Sequence, residues 1–295
     1  MENDAPAIGL ADVIIIGGGP AGLSAAVNAK ARNLNAIVLD AHDPASKLRA
    51  HPEITNYLGM PNLEGPALAD RFAAHFALTG FRLIRERAQK ILPMGENLCV
   101  GTDKEIYDGR TIVLALGVAQ AKLLPGEERL LGKGVHYCVT CDGALYAGRD
   151  VIVAGYIREG EEEANALAGF ARSVRYVSTY EDVGPLESGI EVIHAKPEEI
   201  LGEEIVSALK TDVGELRADG VFVVREAMPI GSMLEGLSIK DNFIEVDASM
   251  ATSFAGVFAA GDCTGPPYQI AKAVGQGQVA ALSAARHIYK TRKKE

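Results

Sequence analysis

The chain has 295 residues, enough for two domains of ordinary size, and 48% of them are hydrophobic. A formal net charge of -10 argues against nucleic acid as a partner. No apolar run approaches the ~18 residues of a membrane-spanning helix, and the acidic start of the chain, Met1-Glu-Asn-Asp4, lacks the layout of a signal peptide. We therefore expect a cytoplasmic protein that binds neither membranes nor nucleic acid.

The first 40 residues follow a strand, helix, strand pattern with a glycine-rich turn. The predicted elements are a β-branched strand over residues 12–16, an Ala-rich helix over 23–32 and a second strand over 35–39. Gly17, Gly19 and Gly22 have the G-x-G-x-x-G spacing, and Asp40 follows the second strand, where a carboxylate can bind a ribose hydroxyl. In this context the glycines predict a dinucleotide site, because they let the helix N-terminus approach a pyrophosphate closely. The alternative is an ordinary glycine-rich turn.

Residues 41–117 complete the first group of predicted elements. Residues 45–65 are predicted to be irregular, because prolines at 44, 52, 61 and 66 break any long helix. An amphipathic helix is predicted over 66–80, followed by strands over 81–84, 98–100 and 111–115, and the group ends at Gly117. Cys99 lies in one of these apolar strands and is predicted to be a core residue rather than a reactive thiol.

Cys138 and Cys141 are separated by two residues in the stretch Cys-Val-Thr-Cys-Asp. This spacing alone leaves a zinc half-site, a static disulfide and thiol–disulfide exchange open. A zinc site would need a second pair of ligands, and the other cysteines, Cys99 and Cys263, are single, so no metal site is predicted. A static disulfide is not expected in a chain without an export signal. The pattern therefore favours exchange, in which one thiol is a thiolate near neutral pH, and Asp142 offers a proton donor or acceptor.

A second strand, turn, helix, strand unit follows the cysteine pair. Its strands are predicted over residues 150–154 and 173–178, with a turn over 155–160 and a helix from 161. Two such units predict two related nucleotide-type domains. In the second turn, however, Ile157 replaces the middle glycine and blocks the close approach of a pyrophosphate. Four carboxylates crowd the same turn and would repel a phosphate; they are Glu159, Glu161, Glu162 and Glu163. We predict that this unit does not bind a nucleotide.

The C-terminal part of the chain alternates short strands and turns over residues 189–229. Further strands are predicted over 244–247 and 256–262, and the last of them ends in Asp262, at the sheet edge where ligands of open α/β sheets collect. A long helix is predicted over 270–289. Its small residues are assigned to one face: Ala271, Ala273, Gly275 and Gly277. The basic tail over 291–294 is expected to be solvated and frayed.

Together these motifs resemble the low-molecular-weight thioredoxin reductases over nearly the whole chain. The matching segments are 17–22, 56–59, 125–127, 134–143 and 256–263, with Gln269 before the final helix. The resemblance implies an α/β fold of two Rossmann-like, three-layer ββα domains, the second inserted into the first. An FAD domain would comprise residues 1–117 and 245–295. The inserted unit, 118–244, would carry the cysteine pair, and the protein would be a homodimer.

The resemblance also implies roles for individual residues. Cys141 would be the sulfur next to the flavin, Cys138 the thiol that attacks the disulfide of the partner protein, and Asp142 the proton donor and acceptor of the pair. The FAD-binding residues would be Gly17, Gly19, Pro20, Ala21, Gly22, Asp40, Leu48, Asn56, Gly117, Gly261, Asp262, Gln269 and Ile270.

The departures from the family pattern concern the electron donor. Family members carry Gly-Gly-Gly-Asp-Ser-Ala at the second turn and His-Arg-Arg after the next strand, whereas this chain has Gly-Tyr-Ile-Arg-Glu-Gly over 155–160 and Ser-Thr-Tyr over 178–180. This pattern is similar to the ferredoxin-dependent flavin thioredoxin reductases. It implies reduced ferredoxin as the electron donor, FAD as the cofactor and thioredoxin as the acceptor.

Two alternatives to this interpretation stay open. One is an NAD(P)H-dependent reductase with a remodelled nucleotide site, and the other is a flavin-bound redox sensor without efficient turnover. If ferredoxin is the donor, an acidic protein needs a local basic patch to dock it. The candidates for this patch are Lys30, Arg32, Lys47 and Arg49.

Overall fold

The computed structural model describes residues 9–117, 123–225 and 230–292. These residues divide into two compact units. Unit 1 comprises residues 9–100, 106–117 and 233–292, and unit 2 comprises 101–105, 123–225 and 230–232. Within the described ranges, no helix combines the length and apolar character needed to cross a membrane.

The described residues contain seventeen strands and six α-helices, connected by turns and loops. The strands are β1 Ala11–Ile16, β2 Ala36–Leu39, β3 Arg82–Ile84, β4 Ala88–Met94, β5 Asn97–Thr102, β6 Ile106–Leu114, β7 Val135–His136, β8 Asp150–Gly155, β9 Ser173–Ser178, β10 Glu191–His194, β11 Pro197–Leu201, β12 Ala208–Thr211, β13 Gly214–Arg217, β14 Gly220–Val224, β15 Ile239–Lys240, β16 Phe243–Ile244 and β17 Val257–Ala259. The helices are α1 Pro20–Lys30, α2 Gly65–Ala77, α3 Val139–Asp142, α4 Glu159–Ala168, α5 Ile230–Met233 and α6 Ile270–Arg292.

Unit 1 is built on a seven-stranded sheet in the order β3-β2-β1-β6-β5-β4, with β17 also paired to β6. The pairs β3–β2, β2–β1, β1–β6 and β6–β17 are parallel. Side chains of β1 alternate between the faces of the sheet: Val13 and Ile15 pack with the helices, while Ile14 lies against Gly109 of β6. Both faces of β1 are therefore covered, as its uninterrupted apolar sequence requires.

Unit 2 repeats this arrangement. Its parallel sheet has the order β10-β9-β8-β14-β7, and β11, β12 and β13 form a separate antiparallel sheet. Val151 and Val153 of β8 face the layer that contains α4, and Ile152 and Ala154 face the opposite layer. The predicted α/β class with two Rossmann-like units is confirmed.

Several predicted boundaries differ from the observed ones. Helix α1 begins at Pro20 rather than at residue 23, because proline is well suited to the first helical position. The strand predicted over 256–262 covers only Val257–Ala259, and Asp262 begins a 3₁₀ turn instead. The prediction of a frayed tail is wrong at Arg292, which is helical and forms an ion pair with Asp12 at 2.6 Å.

The division between the units also differs from the predicted boundary at residue 245, since residues 233–244 belong to unit 1. Contacts with the C-terminal segment explain this. The Ser238 backbone N–H donates to Ser253 Oγ at 2.9 Å. Strands β15 and β16 form a hairpin, and the Phe243 ring of this hairpin lies beside Gly265.

Helices α1 and α6 pack closely in the core of unit 1. The buried residues of α6 include Ala273, Gly277 and Ala281, which recur every four residues. The predicted stripe is therefore wrong for Ala271, which is exposed, and for Gly275, beside which there is open space. Residues two apart in a helix point in nearly opposite directions, so the four small residues cannot share one face.

The packing of α6 on α1 predicts opposite effects on stability for alanine substitutions at two glycines of α6. A methyl group on Gly277 would overlap the carbonyl oxygen of Ala21 in α1, whereas nothing lies within 4 Å of one on Gly275. We expect Gly277→Ala to lower the free energy of unfolding by about 2–3 kcal/mol, because the helices must separate. The matched change Gly275→Ala should raise it by up to about 1 kcal/mol, because alanine favours the helix. Urea unfolding followed by circular dichroism measures both, and equal effects would contradict the packing described here.

Candidate functional site

The two cysteines of the predicted exchange motif form a disulfide in unit 2. Cys138 lies at the N-cap of α3, directly after β7 and Tyr137, and its Sγ accepts a hydrogen bond from the Cys141 backbone N–H at 3.0 Å. An N–H donor of this kind stabilises a thiolate on Cys138 once the pair is reduced. Cys138 is only 2% exposed, and Cys141 is half-buried.

Asp142 ends the same short helix, and its carboxylate faces a histidine that the sequence analysis did not select. The distance from His136 Nδ1 to Asp142 Oδ2 is 3.0 Å, and both side chains are largely buried. Nε2 of His136 lies 2.8 Å from the Tyr146 hydroxyl. The only sequence signal for His136 is its position two residues before Cys138, which by itself does not indicate a partner.

The remaining cysteines have other surroundings. Cys263 is buried, and its burial raises the pKa of its thiol to about 11. Burial and the Asp108 carboxylate, 2.8 Å from Cys99 Sγ, raise the pKa of Cys99 to about 11 as well. Among the described residues, no three His, Cys, Asp or Glu side chains lie together as metal ligands would.

In unit 1 the glycine-rich turn joins β1 to α1. Gly17 has a φ of 111°, and a side chain there would overlap the Ala115 carbonyl. A side chain on Gly22 would overlap the carbonyl of Gly17, so this position serves helix–strand packing. Gly19 differs, because nothing lies within 4 Å of a methyl group placed there. Helix α1 then begins at Pro20 without a side-chain cap and without an acidic residue in its first turn. Its second residue, Ala21, is buried.

The other predicted cofactor residues of the N-terminal segment lie around this turn or near the final helix. Asp40 follows β2, and its Oδ2 accepts from the Gly18 N–H at 2.6 Å. Leu48 is buried in the 3₁₀ turn Ser46–Ala50. Asn56 Nδ2 donates to Gln269 Oε1 at 2.7 Å, which links a loop after β2 to the residue before α6. Gly117 follows β6 with a φ of 69°.

The C-terminal candidates lie between β17 and α6. The Gly261 N–H donates to Gln276 Oε1 at 2.9 Å. Burial raises the pKa of Asp262, while the ammonium groups of Lys272 and Lys47 act in the opposite direction. Lys272, which the sequence analysis missed, donates to the carbonyls of Gly261 and Gly265. Ile270, the first residue of α6, packs against the core of unit 1.

In the second turn, in unit 2, the two outer glycines again lie against other atoms, but Gly155 does not share the positive φ of Gly17. A side chain on Gly155 would overlap the Tyr176 hydroxyl, and one on Gly160 would lie 3.2 Å from the Gly155 Cα. Ile157 occupies the middle position and packs against the apolar cluster around α4. The glycines that serve packing are therefore present, and the one that would face a ligand is replaced.

Polar side chains fill the entrance to this second turn. The Tyr180 hydroxyl lies 2.9 Å from Glu161 Oε1 and 2.6 Å from the Tyr176 hydroxyl. The first turn of α4 contains three carboxylates, those of Glu159, Glu161 and Glu162. Tyr180 was recognised in the sequence only as part of a strand end without arginines, because its contact with Glu161 depends on the fold.

A cleft of about 640 Å³ opens beside the same turn. Its lining contains one basic side chain, Arg158, and three acidic ones, Glu159, Glu181 and Asp182. Arg158 is already paired with Asp182 at 2.5 Å. The cleft is therefore acidic overall, which disfavours the phosphates of a nucleotide.

The four basic residues considered for ferredoxin docking do not form one patch. Lys30 lies over the Phe81 ring at the C-terminal end of α1. Lys47 lies beside Gly117, two residues after Ala115, which contacts Gly17 just before the start of α1. Helix α1, with 11 residues, is about 16 Å long. Arg49 is paired with Asp70 at 2.6 Å.

This combination of folds and motifs is found in known proteins. The sequence profile described as pyridine nucleotide-disulphide oxidoreductase matches residues 11–277. The chain belongs to this family.

Three relatives of this oxidoreductase match over nearly their full length. The structure of a ferredoxin-flavin thioredoxin reductase from Clostridium acetobutylicum is 43% identical with a TM-score of 0.85, covering 95% of this chain and 98% of that one. The "34.2 kDa protein in rubredoxin operon" of Clostridium pasteurianum is 33% identical, covering 94% of this chain and 97% of that protein. A thioredoxin reductase of Bacillus subtilis is 28% identical, covering 94% of both.

Oxidoreductases of this family bind FAD, and unit 1 fits such a cofactor. The open space at Gly19 leaves room for a pyrophosphate at the uncapped start of α1. Oδ1 of Asp262 is buried without a hydrogen-bond partner in the described part of the chain, and a cofactor hydroxyl would satisfy it. In the turn of unit 2, Ile157 stands at the position that corresponds to Gly19.

The cysteine environments of this oxidoreductase predict selective labelling. A pKa of about 11 leaves on the order of one Cys99 thiol in three thousand as thiolate at pH about 7.5. After reduction, a short exposure to iodoacetamide should therefore label Cys138 and Cys141 but neither Cys99 nor Cys263, as peptide mass spectrometry would show. The double variant Cys138→Ser, Cys141→Ser is the control and should take up almost no label. Rapid labelling of Cys99 would contradict the environment described.

Proposed function

We propose that this protein is a flavin-dependent disulfide reductase, in which electrons pass from FAD through the Cys138–Cys141 pair to thioredoxin. We propose further that reduced ferredoxin, rather than NADPH or NADH, is the electron donor. The domain roles follow: unit 1 holds FAD, and unit 2 carries the cysteines without binding a nucleotide.

The observation that carries the choice of donor is the contrast between the two helix starts. The first turn of α1 has no acidic residue, whereas that of α4 has three. Exposed N–H groups at a helix start attract phosphate, and carboxylates at the same place repel it. In addition to the repulsion by these carboxylates, Ile157 and the Tyr180–Glu161 contact block the approach of a phosphate sterically. A hydride donor therefore has no favourable site in the second turn.

The relatives favour the same donor. The ferredoxin-flavin thioredoxin reductase is 43% identical to this chain over 95% of its length, compared with 28% for the Bacillus subtilis thioredoxin reductase. Ferredoxin delivers single electrons, so it needs an acceptor that can take them one at a time. A flavin has this property, and a cysteine pair has not.

The residues proposed to hold FAD surround the first turn. Gly17, Gly19 and Gly22 would border the pyrophosphate, Asp40 would accept from a ribose hydroxyl, and Asp262 would accept from the ribityl chain. The remaining contacts are assigned to Pro20, Ala21, Leu48, Asn56, Gly117, Gly261, Gln269 and Ile270. When bound, FAD supplies the electron pair that reduces the disulfide and accepts electrons singly from the donor.

The cysteine pair then exchanges with thioredoxin. Reduction breaks the Cys138–Cys141 bond and takes up two electrons and two protons. The Cys138 thiolate attacks one sulfur of the thioredoxin disulfide, forming a mixed disulfide and releasing a thioredoxin thiolate, which takes a proton. The Cys141 thiolate next attacks the Cys138 sulfur, restores the original disulfide and releases reduced thioredoxin. Two electrons and two protons have then passed to thioredoxin.

Two observations bear on the roles of these residues. The Cys141 N–H on Cys138 Sγ supports Cys138 as the attacking thiolate. Because Cys138 is only 2% exposed, it must gain exposure before thioredoxin can reach it. Asp142 is assigned the proton transfers, since it follows Cys141 directly and its side chain is largely buried.

Anaerobic absorbance of the purified yellow protein tests the proposed donor. The protein is mixed in turn with NADPH, NADH and pre-reduced ferredoxin, and flavin absorbance is followed. We expect only ferredoxin to bleach the flavin and oxidised thioredoxin to restore it. The Cys138→Ser variant should still be bleached, but thioredoxin should no longer restore its colour.

Each other outcome selects a different function. Fast bleaching by NADPH or NADH would show an ordinary reductase with a remodelled nucleotide site. Bleaching by ferredoxin with no response to thioredoxin would favour a flavin-bound redox sensor. If Cys138→Ser reduced thioredoxin as fast as the original protein, the assignment of Cys138 would be wrong.

The proposed cofactor site also predicts the effect of a substitution at Gly19 on FAD binding. A methyl group at Gly19 meets no protein atom, so Gly19→Ala should change stability by no more than about 1 kcal/mol. It should nevertheless weaken FAD binding at least about tenfold, because the methyl group would stand where the pyrophosphate approaches. Gly9→Ala, also in open space but before the N-terminal end of β1, is the matched control. Flavin fluorescence on titration measures the affinity, and equal FAD affinities of the two variants would remove Gly19 from the site.

A further inference from the structure

A buried row of three polar side chains lies next to the cysteine pair. Asp142 Oδ2 is 3.0 Å from His136 Nδ1, and His136 Nε2 is 2.8 Å from the Tyr146 hydroxyl. His136 and Tyr146 are each 6% exposed. The His136 ring also stacks on Phe222, its register partner on β14. The imidazole is thus held in one orientation, with each nitrogen facing an oxygen.

This row can hold one proton more or less without losing either hydrogen bond. When the imidazole is neutral, Nδ1–H donates to the Asp142 carboxylate and the Tyr146 hydroxyl donates to Nε2. When one proton is added, Nε2–H donates to the Tyr146 oxygen instead, and the proton is shared between His136 Nδ1 and Asp142. The hydroxyl only has to rotate from donor to acceptor.

We propose that His136 and Tyr146 are positioning residues which make Asp142 a proton store for the exchange of the Cys138–Cys141 pair. This inference rests on the proposed function for its role in turnover. It assigns no new substrate, but it identifies two residues that set the protonation of Asp142.

Counting protons in the thiol–disulfide exchange with thioredoxin defines the role of this proton store. Cys141 must lose a proton before it attacks the Cys138 sulfur of the mixed disulfide, and the thiolate leaving thioredoxin must gain one. The store first gives its proton to the thioredoxin thiolate that Cys138 releases, and then takes one from the Cys141 thiol before it attacks. No electrons enter or leave the row, and it ends in its original state.

Two charged groups outside the row, those of Arg149 and Asp219, act on its Tyr146 end. Burial raises the pKa of Tyr146, which keeps its hydroxyl proton, and the carboxylates of Asp142 and Asp219 act in the same direction while Arg149 opposes them. Phe222 covers the ring of His136 on the side of β14 and adds no charge. The members of the row that can exchange the added proton are therefore His136 and Asp142.

The charge on Asp142 and His136 changes the pKa of the two thiols, and this change can be measured. With a proton on the store, the row is neutral beside the pair; without it, Asp142 is an anion that raises the thiol pKa. In His136→Asn, Nδ2 stands in the place of Nδ1 and can donate to Asp142 but cannot take up a proton. The row then stays anionic at pH about 6, and the reactive thiolate becomes rarer.

The test is the rate of alkylation of the reduced, FAD-loaded protein by iodoacetamide, measured between pH about 5 and 9. We expect His136→Asn to react about tenfold more slowly than the original protein at pH about 6, which corresponds to a thiol pKa higher by about one unit. Tyr146→Phe should show a smaller shift in the same direction. Adding Asp142→Asn to His136→Asn removes the charge and should return the rate towards the original value.

Tyr137→Phe is the matched control, because it removes a buried tyrosine hydroxyl that bonds to Glu127 and not to His136. Its profile should coincide with that of the original protein even if its melting temperature falls. The proposal is overturned if His136→Asn and Tyr146→Phe, each folded and able to form the disulfide, both give the original profile. Alkylation needs neither ferredoxin nor thioredoxin, so a shifted profile without thioredoxin turnover would reject the proposed function and leave the proton store intact.

Discussion

The first N–H groups of a helix have no hydrogen-bond acceptor within their own helix. The surroundings of these groups differ between α1 of unit 1 and α4 of unit 2. In unit 1, α1 starts without a side-chain cap, beside an open space at Gly19. In unit 2, α4 starts with carboxylates in its own first turn. Neither start has a side-chain cap, so the difference is one of charge: carboxylates lie at the start of α4, where they repel a phosphate, and none lies at the start of α1.

The glycines of the two turns show which constraints belong to the fold. Gly17 and Gly22 in unit 1, and Gly155 and Gly160 in unit 2, lie where a side chain would meet backbone or a buried tyrosine. These positions have to stay small whether or not a nucleotide binds. The middle position has no such restriction, and there Ile157 is accommodated by packing on the apolar cluster of α4. A bulky side chain at the middle position therefore leaves the βαβ unit itself intact.

The chain around the cysteines connects two different networks. Tyr137 donates to Glu127, which is fully buried and paired with Arg225 at 2.6 Å. Glu127 follows the point where the chain enters unit 2 and Arg225 precedes the point where it leaves, so the pair ties both ends of the unit together. Breaking such a buried pair costs about 3–5 kcal/mol. His136, one residue before Tyr137, instead faces Asp142 and Tyr146, so anchoring and proton chemistry use neighbouring residues without sharing side chains.

Local sequence signals were enough to predict the elements that lie within short stretches of the chain. The strand, turn and helix spacing, the glycines and the Cys-x-x-Cys stretch all lie within a few residues of one another, and each constrains its own backbone directly. The same local reading failed for the stripe on α6, where small residues two apart were assigned to one face although a helix separates them.

Contacts between side chains that are distant in sequence became visible only in the folded chain. Tyr180 closes the second turn onto Glu161, His136 finds Asp142 and Tyr146, and Arg292 pairs with Asp12 across nearly the whole chain. Nothing in the spacing of these residues selects their partners. A hydrogen bond or ion pair depends on the distance between two atoms in the folded chain, and that distance is set by how strands and helices pack rather than by the residues' positions in the sequence.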